Sequence, residues 1–209
     1  MKKVVCTMFI LILLSGCSKE PTIAQQFRDF LIAVNEKENK GNNFGRKLYE
    51  KEHKEQELFI QLMELTQQQY PEVKQRVVAL KRSVRERSML LEKEESAVRE
   101  SKETIGQLAE SMNQKGFTSQ VEDVVDALTE RSGIHEAFIL QYKKLLDSQM
   151  QLYTQLEDQS VRELGLQKQV SEVNDLIAAS QQTLIEFNET TREVNRLASR
   201  TSKSLEQQK

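Results

Sequence analysis

Two histidines, His53 and His135, and two cysteines, Cys6 and Cys17, are the whole stock of imidazole and thiol in this 209-residue sequence. A zinc site or a nucleophile with its base needs several such groups at defined spacing, and no such spacing is present. His53 lies in Lys51-Glu52-His53-Lys54-Glu55, which reads as a solvated helix face. His135 stands seven residues from both Leu128 and Tyr142, on an apolar row where a lone histidine is expected to have a structural partner. Glu92, Glu94, Glu95, Glu100 and Glu103 alternate with Lys93, Arg99 and Lys102, so i,i+4 pairing such as Glu95 with Arg99 accounts for them without acid–base catalysis. Gly41-Asn42-Asn43-Phe44-Gly45-Arg46-Lys47 superficially resembles a phosphate-binding loop. It is one residue short between glycines, has Arg before Lys, lacks the following Ser or Thr, and continues a helical pattern instead of following a strand. The residues predict no catalytic, cofactor-binding or metal-binding site, and hence no enzyme.

Cys17 has a different chemistry. Residues 1–16 have a basic start (Lys2, Lys3), an apolar centre from Val4 to Leu14 interrupted only by Cys6 and Thr7, and a small-residue end, Ser15-Gly16. This is the layout of a cleaved secretory signal, and its apolar centre is far shorter than the ~20 residues a spanning helix needs. Leu14-Ser15-Gly16-Cys17 resembles a bacterial lipobox, in which the thiol accepts a diacylglyceryl group. Two or three acyl chains, at ~0.8 kcal/mol per buried methylene, give lasting membrane attachment where one would be marginal. The expectation is a signal peptide at 1–16, a lipidated Cys17, a tether over 17–21 and one helical domain over 22–209. Cys6 leaves with the signal, so the mature chain has no pair of thiols for a disulfide.

Behind this anchor the composition is that of a long-helix protein: 30% charged residues, no Trp, 7 Gly and 2 Pro, with a mean hydropathy of -0.59. Loss of Lys2 and Lys3 takes the formal charge from -2 to -4. Acidic and basic residues interleave, leaving no positive face for nucleic acid. Helix starts are expected at Thr22-Ile23-Ala24-Gln25, Ser119-Gln120-Val121-Glu122 and Ser160-Val161-Arg162-Glu163, which fit the capping-box pattern, and at Tyr70-Pro71. Gly116 is placed to close the second segment. Near-even spacing predicts rods of roughly 60 to 70 Å, joined as an elongated antiparallel four-helix up-and-down bundle.

Seven-residue rows support that architecture and a left-handed twist. They are Val77, Val84, Leu91, Val98, Ile105 and Met112 in the second segment, with Leu80 and Leu108 beside them. The third carries Val121, Val125, Leu128, Ile139, Tyr142, Leu146, Tyr153 and Leu156; the fourth carries Leu166, Val173, Phe187 and Val194, flanked by Val170, Ile177 and Leu184. In the first segment Phe27, Val34, Leu48 and Leu62 keep one phase, and Ile23, Phe30, Phe44, Leu58 and Leu65 another. These phases argue that the helix continues through Gly41–Gly45, but residues 35–57 are nearly all polar and Gly41 and Gly45 cost a helix roughly 2 kcal/mol together, so a kinked or softened helix is expected there. Arg87, Glu94 and Ser101 occupy three successive seam positions that should be apolar. They are expected to pair within the bundle, or else to open a polar stripe to a partner.

With its lipobox, a proline just after it, and the stretch from Leu90 to Glu103 (LLEKEESAVRESKE), the chain resembles the YkyA-like cell-wall-binding lipoproteins of low-GC Gram-positive bacteria. The resemblance implies a lipid-anchored, extracytoplasmic four-helix bundle associated with the wall, no catalytic residues, and an acylated cysteine at Cys17. The Gly-Asn-Asn-Phe-Gly segment departs from the ordinary polar stretch expected there.

The leading expectation is a lipoprotein on the outer face of the cell membrane, anchored by lipid on Cys17. It would bind peptidoglycan or an associated polymer, with the distal turns near Gln67–Pro71 and Glu157–Ser160 as the contact surface. The alternative is an envelope adaptor that binds a partner protein through a helical face. An outer-membrane lipoprotein is a further placement, since Ser18 does not discriminate. A deep pocket with convergent carboxylates would revive an enzyme of wall metabolism.

Overall fold

The structure is a computed structural model that describes residues 21–39, 43–113 and 118–207. The signal segment, Cys17, Gly41 and Gly116 lie outside the described residues. Five α-helices and a short 3-10 turn follow one another: α1 (Ile23–Asn39), α2 (Asn43–Met63), the turn Gln67–Gln69, α3 (Tyr70–Asn113), α4 (Ser119–Leu156) and α5 (Glu163–Gln207). No strand occurs among the described residues. At 1.5 Å per residue α3 and α5 are each roughly 66 Å long.

The helix starts follow local chemistry, with two shifts from the expected positions. Thr22 caps α1, its Oγ1 accepting from the Gln25 amide at 3.3 Å. Pro71 falls in the first turn of α3, where its missing N–H goes unused. The cap of α4 is Thr118, one residue before the expected Ser119, in an extended conformation. α5 begins at Glu163, not at Ser160. Asp158 explains that shift: its Oδ1 takes both the Ser160 amide (2.8 Å) and the Ser160 hydroxyl (2.6 Å), holding the serine in the turn. The carbonyl of Arg162 instead accepts the first α5 amides, from Gly165 and Leu166.

Among the described residues the first segment forms two helices, α1 ending at Asn39 and α2 beginning at Asn43. Polar, glycine-containing sequence around 41–45 has little helix propensity, and Phe44 supplies the only large apolar anchor there, at 8% exposure. Yet α1 and α2 follow α3 as one interrupted rod. Lys37 faces Glu100 and Lys51 faces Glu86, equal steps of 14 residues in opposite directions; Gln61 then meets Arg76. The break leaves the antiparallel register intact.

The remaining neighbours are also antiparallel. Across α3 and α4, Lys81 meets Glu157, Glu95 meets Lys143 and Lys102 meets Glu136. Across α4 and α5, Ser148 Oγ accepts from Gln169 Nε2 at 2.8 Å, and the Gln120 carbonyl accepts from Thr201 Oγ1 at 3.1 Å. The exposed ion pairs among them, Glu95 with Lys143 and Lys102 with Glu136, contribute about 1 kcal/mol or less each, so they report the register more than they hold it.

Apolar burial holds it, in two separate cores. One joins Phe44, Leu48 and Leu62 with Val77, Leu80, Val84, Leu91, Val98 and the α4 residues Phe138 to Tyr153. The other joins Phe27, Phe30 and Val34 with Ile105, Val121, Val124, Leu128, Val194 and Leu205 near the chain ends. The heptad rows therefore face inward as expected, with two exceptions: Ile23 at a helix end and Leu184 remain 42% and 44% exposed. The side chain of Met112 is not among those described. α2 leans on α3, and α5 on α4, with little direct contact between α2 and α5. α1 does reach α5, where Arg28 pairs with Glu206 at 2.8 Å. The assembly thus closes at the α1 end and stays open between α2 and α5.

Candidate functional site: a polar-floored cleft between α2 and α5

Between those two walls lies a cleft of about 850 Å³, floored by α3 and α4. That is within the range of small-molecule sites. Its floor carries the three seam residues that break the apolar row of α3, and all three are buried: Arg87 at 1%, Ser101 at 3% and Glu94 at 9% exposure. From Arg87 to Ser101 the floor runs about 21 Å along the rod.

Arg87 is the centre of a buried network. Its Nη2 donates to Glu55 Oε1 at 2.5 Å and to Gln149 Oε1 at 2.6 Å, while Nη1 donates to the Tyr142 hydroxyl at 2.8 Å. The Tyr142 hydroxyl donates to Glu52 Oε1 at 2.5 Å, and Tyr153 donates to Glu55 Oε1 at 2.7 Å. Burial pushes both phenols well above the ordinary tyrosine range; the carboxylates of Glu52 and Glu55 add to the shift and Arg87 opposes it. The hydroxyls therefore stay protonated and act as fixed donors.

Two further pairs lie toward α1. His135 Nε2 sits 3.2 Å from Glu94 Oε1, and its ring lies tilted against that of Phe187 on α5, with 4.6 Å between centroids. Arg131 forms a salt bridge with Glu38, which also accepts from Ser101 Oγ at 3.4 Å. This last group separates the two apolar cores. A buried charge costs several kcal/mol unless paired, so the sequence places a partner against each one.

The sequence-singled residues are thus sorted by the fold. Arg87, Glu94 and Ser101 pair within the helices, as the first of the two expectations for them has it, and they lie on the floor of the cleft. His135 has its structural partner. His53 is exposed, with Nδ1 3.4 Å from Glu57. Gly45 and Phe44 line the cleft, and no phosphate loop forms because Asn43 to Lys47 are helical. Glu95 pairs with Lys143 across to α4 instead of with Arg99. Among the described residues no group of three or more His, Cys, Asp or Glu is placed to hold a metal, and no helix is long and apolar enough to cross a membrane.

Glu55, Ser180 and Arg131 escaped the sequence reading. All three carry a positional signal. Glu55 stands seven residues from Leu48 and from Leu62, Ser180 seven from Val173 and from Phe187, and Arg131 seven from Val124 and from Phe138, each a polar residue on an apolar row.

Comparison with known proteins follows the same lines. A crystal structure described as a conserved protein of unknown function from Staphylococcus aureus superposes with a TM-score of 0.72. It is 16% identical and covers 84% of this chain and 90% of its own, which establishes a shared helical fold. No curated protein sequence matches. The YkyA family profile, described as putative cell-wall binding lipoprotein, matches residues 22–204, and the chain therefore belongs to the YkyA family.

Proposed function

We propose that this protein is a non-enzymatic lipoprotein, tethered through an acylated Cys17 to the outer face of the cell membrane, that binds the cell wall through the α2/α5 cleft. In this reading residues 1–16 are removed as a signal. α1 with α2 forms the first rod of a left-handed, up-and-down four-rod bundle projecting from the bilayer. The single observation behind the binding surface is the cleft itself: an 850 Å³ groove with a paired polar floor between apolar walls. Family membership supplies the wall as the partner. The cleft, more than the distal turns, concentrates groups that can recognise a ligand.

Four carboxylates, Glu38, Glu52, Glu55 and Glu94, line this cleft, a convergence that hydrolysis of a wall polymer would also use. Here Arg87 and Tyr153 bind Glu55, Arg131 binds Glu38 and Tyr142 binds Glu52, so three of the four carboxylates are already engaged by donors of the protein. Binding without turnover is the better match.

Crosslinking in intact cells from a photoreactive residue at position 181, on the α5 wall, separates the readings. Wall fragments joined to the protein support wall binding. A single protein partner recovered in their place supports the envelope-adaptor alternative, and release of soluble wall fragments by the purified protein would indicate an enzyme.

A further inference from the structure

We propose that the cleft recognises a primary ammonium group carried on an aliphatic chain, and that this amine is the part of the wall the protein reads. The inference rests on the wall-binding reading above and specifies its ligand. Two independent observations carry it.

The first is charge. Four carboxylates line the cleft against two guanidinium groups, those of Arg87 and Arg131. The balance is negative whether or not His135 holds a second proton. An anionic phosphate polymer meets net repulsion in such a groove, and a cation meets attraction.

The second is unmet hydrogen bonding. Glu55 Oε2, Glu94 Oε2 and Ser180 Oγ are buried without a partner, on residues only 3%, 9% and 5% exposed that line the cleft. Buried polar atoms are nearly always paired, and two of these three are acceptors only, so the cleft lacks donors. The single unpaired donor on its floor is Arg87 Nε. An ammonium brings three donors and no acceptor.

The walls suit the rest of such a ligand. Tyr49, Phe138 and Phe187 offer ring faces to a cation, and Val173 and Ile177 offer apolar surface to methylenes. Glu52 is the natural first contact, because its side chain lines the cleft and stays 41% exposed. Metal ions are a poorer occupant, as no three candidate ligands converge among the described residues.

Two wall sources carry this chemistry: the side-chain amine of a diamino acid in the peptide stem, and aminoacyl esters on attached polymers. The test uses the full chain in mild detergent with purified sacculi, as isolated and after removal of attached polymers, each before and after acetylation of free amines. The expected result is binding that acetylation weakens on the order of tenfold or more. Loss on stripping alone identifies the esters as the source; retention identifies the stem peptide. Equal binding to acetylated and unmodified sacculi overturns the amine while leaving wall binding in place, and binding to neither overturns both.

Two variants locate the effect. Glu52→Gln keeps an acceptor for Tyr142 and removes the charge. Gly45→Trp adds an indole at the α2 edge of the cleft, at a position where an added Cβ meets nothing within 4 Å. Both should weaken binding to unmodified sacculi on the order of tenfold with helicity and melting temperature retained. Unchanged binding by folded Gly45→Trp would overturn the cleft as the site.

Discussion

Arg87 on α3 and Glu55 on α2 form a salt bridge at 2.5 Å with side chains only 1% and 4% exposed. Each interrupts a heptad row, Glu55 between Leu48 and Leu62 on α2 and Arg87 where the α3 row turns polar after Leu80, so the two helices are matched by charge at that level. Breaking such a pair strands a charge, at a cost of about 3–5 kcal/mol. Arg87→Ala should therefore lower the melting temperature by of order 10 °C, followed by circular dichroism. Replacing both residues with methionine should restore most of the loss, since apolar substitutes for a buried ion pair are often neutral or better. A double variant less stable than Arg87→Ala would contradict the pairing.

Alkaline pH should destabilise the fold through Tyr142 and Tyr153. Burial raises both phenols above the ordinary tyrosine value of 10.0, so above pH 10 the unfolded chain releases protons that the folded chain keeps. The tyrosine contribution is complete below that pH and declines above it, by roughly 1.4 kcal/mol per pH unit for each group. Urea titrations between pH 9 and 12 should show the decline, and Tyr142→Phe with Tyr153→Phe should flatten it. An equal slope in that double variant would refute the assignment.

Gly133 lies in the middle of α4, exposed, and an added Cβ meets nothing within 4 Å. Gly133→Ala should stabilise the protein by about 1 kcal/mol through helix propensity alone, or about 2–4 °C in melting temperature. A lower midpoint would show that the helix bends or packs there.

Cys17→Ser should abolish incorporation of labelled fatty acid and move the protein from the membrane fraction to the soluble extracytoplasmic fraction, because one hydroxyl replaces the only thiol on the mature chain. Persistent labelling would place the anchor elsewhere.

The helices were legible because their apolar rows recur every seven residues over long stretches: Val77, Val84, Leu91, Val98 and Ile105 are all buried. Arg87, Glu94 and Ser101 stood out against that regularity, and with them the floor of the cleft. Its walls were not legible. The separation of α2 from α5 depends on how rods pack across the whole assembly, and the α5 row gives little warning, since Leu184 reads as core and is 44% exposed. The start of α5 was misplaced because Asp158 competes for Ser160, a side-chain bond two residues long that a capping pattern does not register. Glu55, Ser180 and Arg131 were readable as gaps in apolar rows, but the partner of Arg131 became visible only once α1 brought Glu38 beside it.

Sedimentation of the purified full chain with purified peptidoglycan tests the account most directly. Wall binding predicts saturable enrichment in the pellet, well above that of an unrelated acidic helical bundle at the same ionic strength. Pelleting no greater than that control would contradict it.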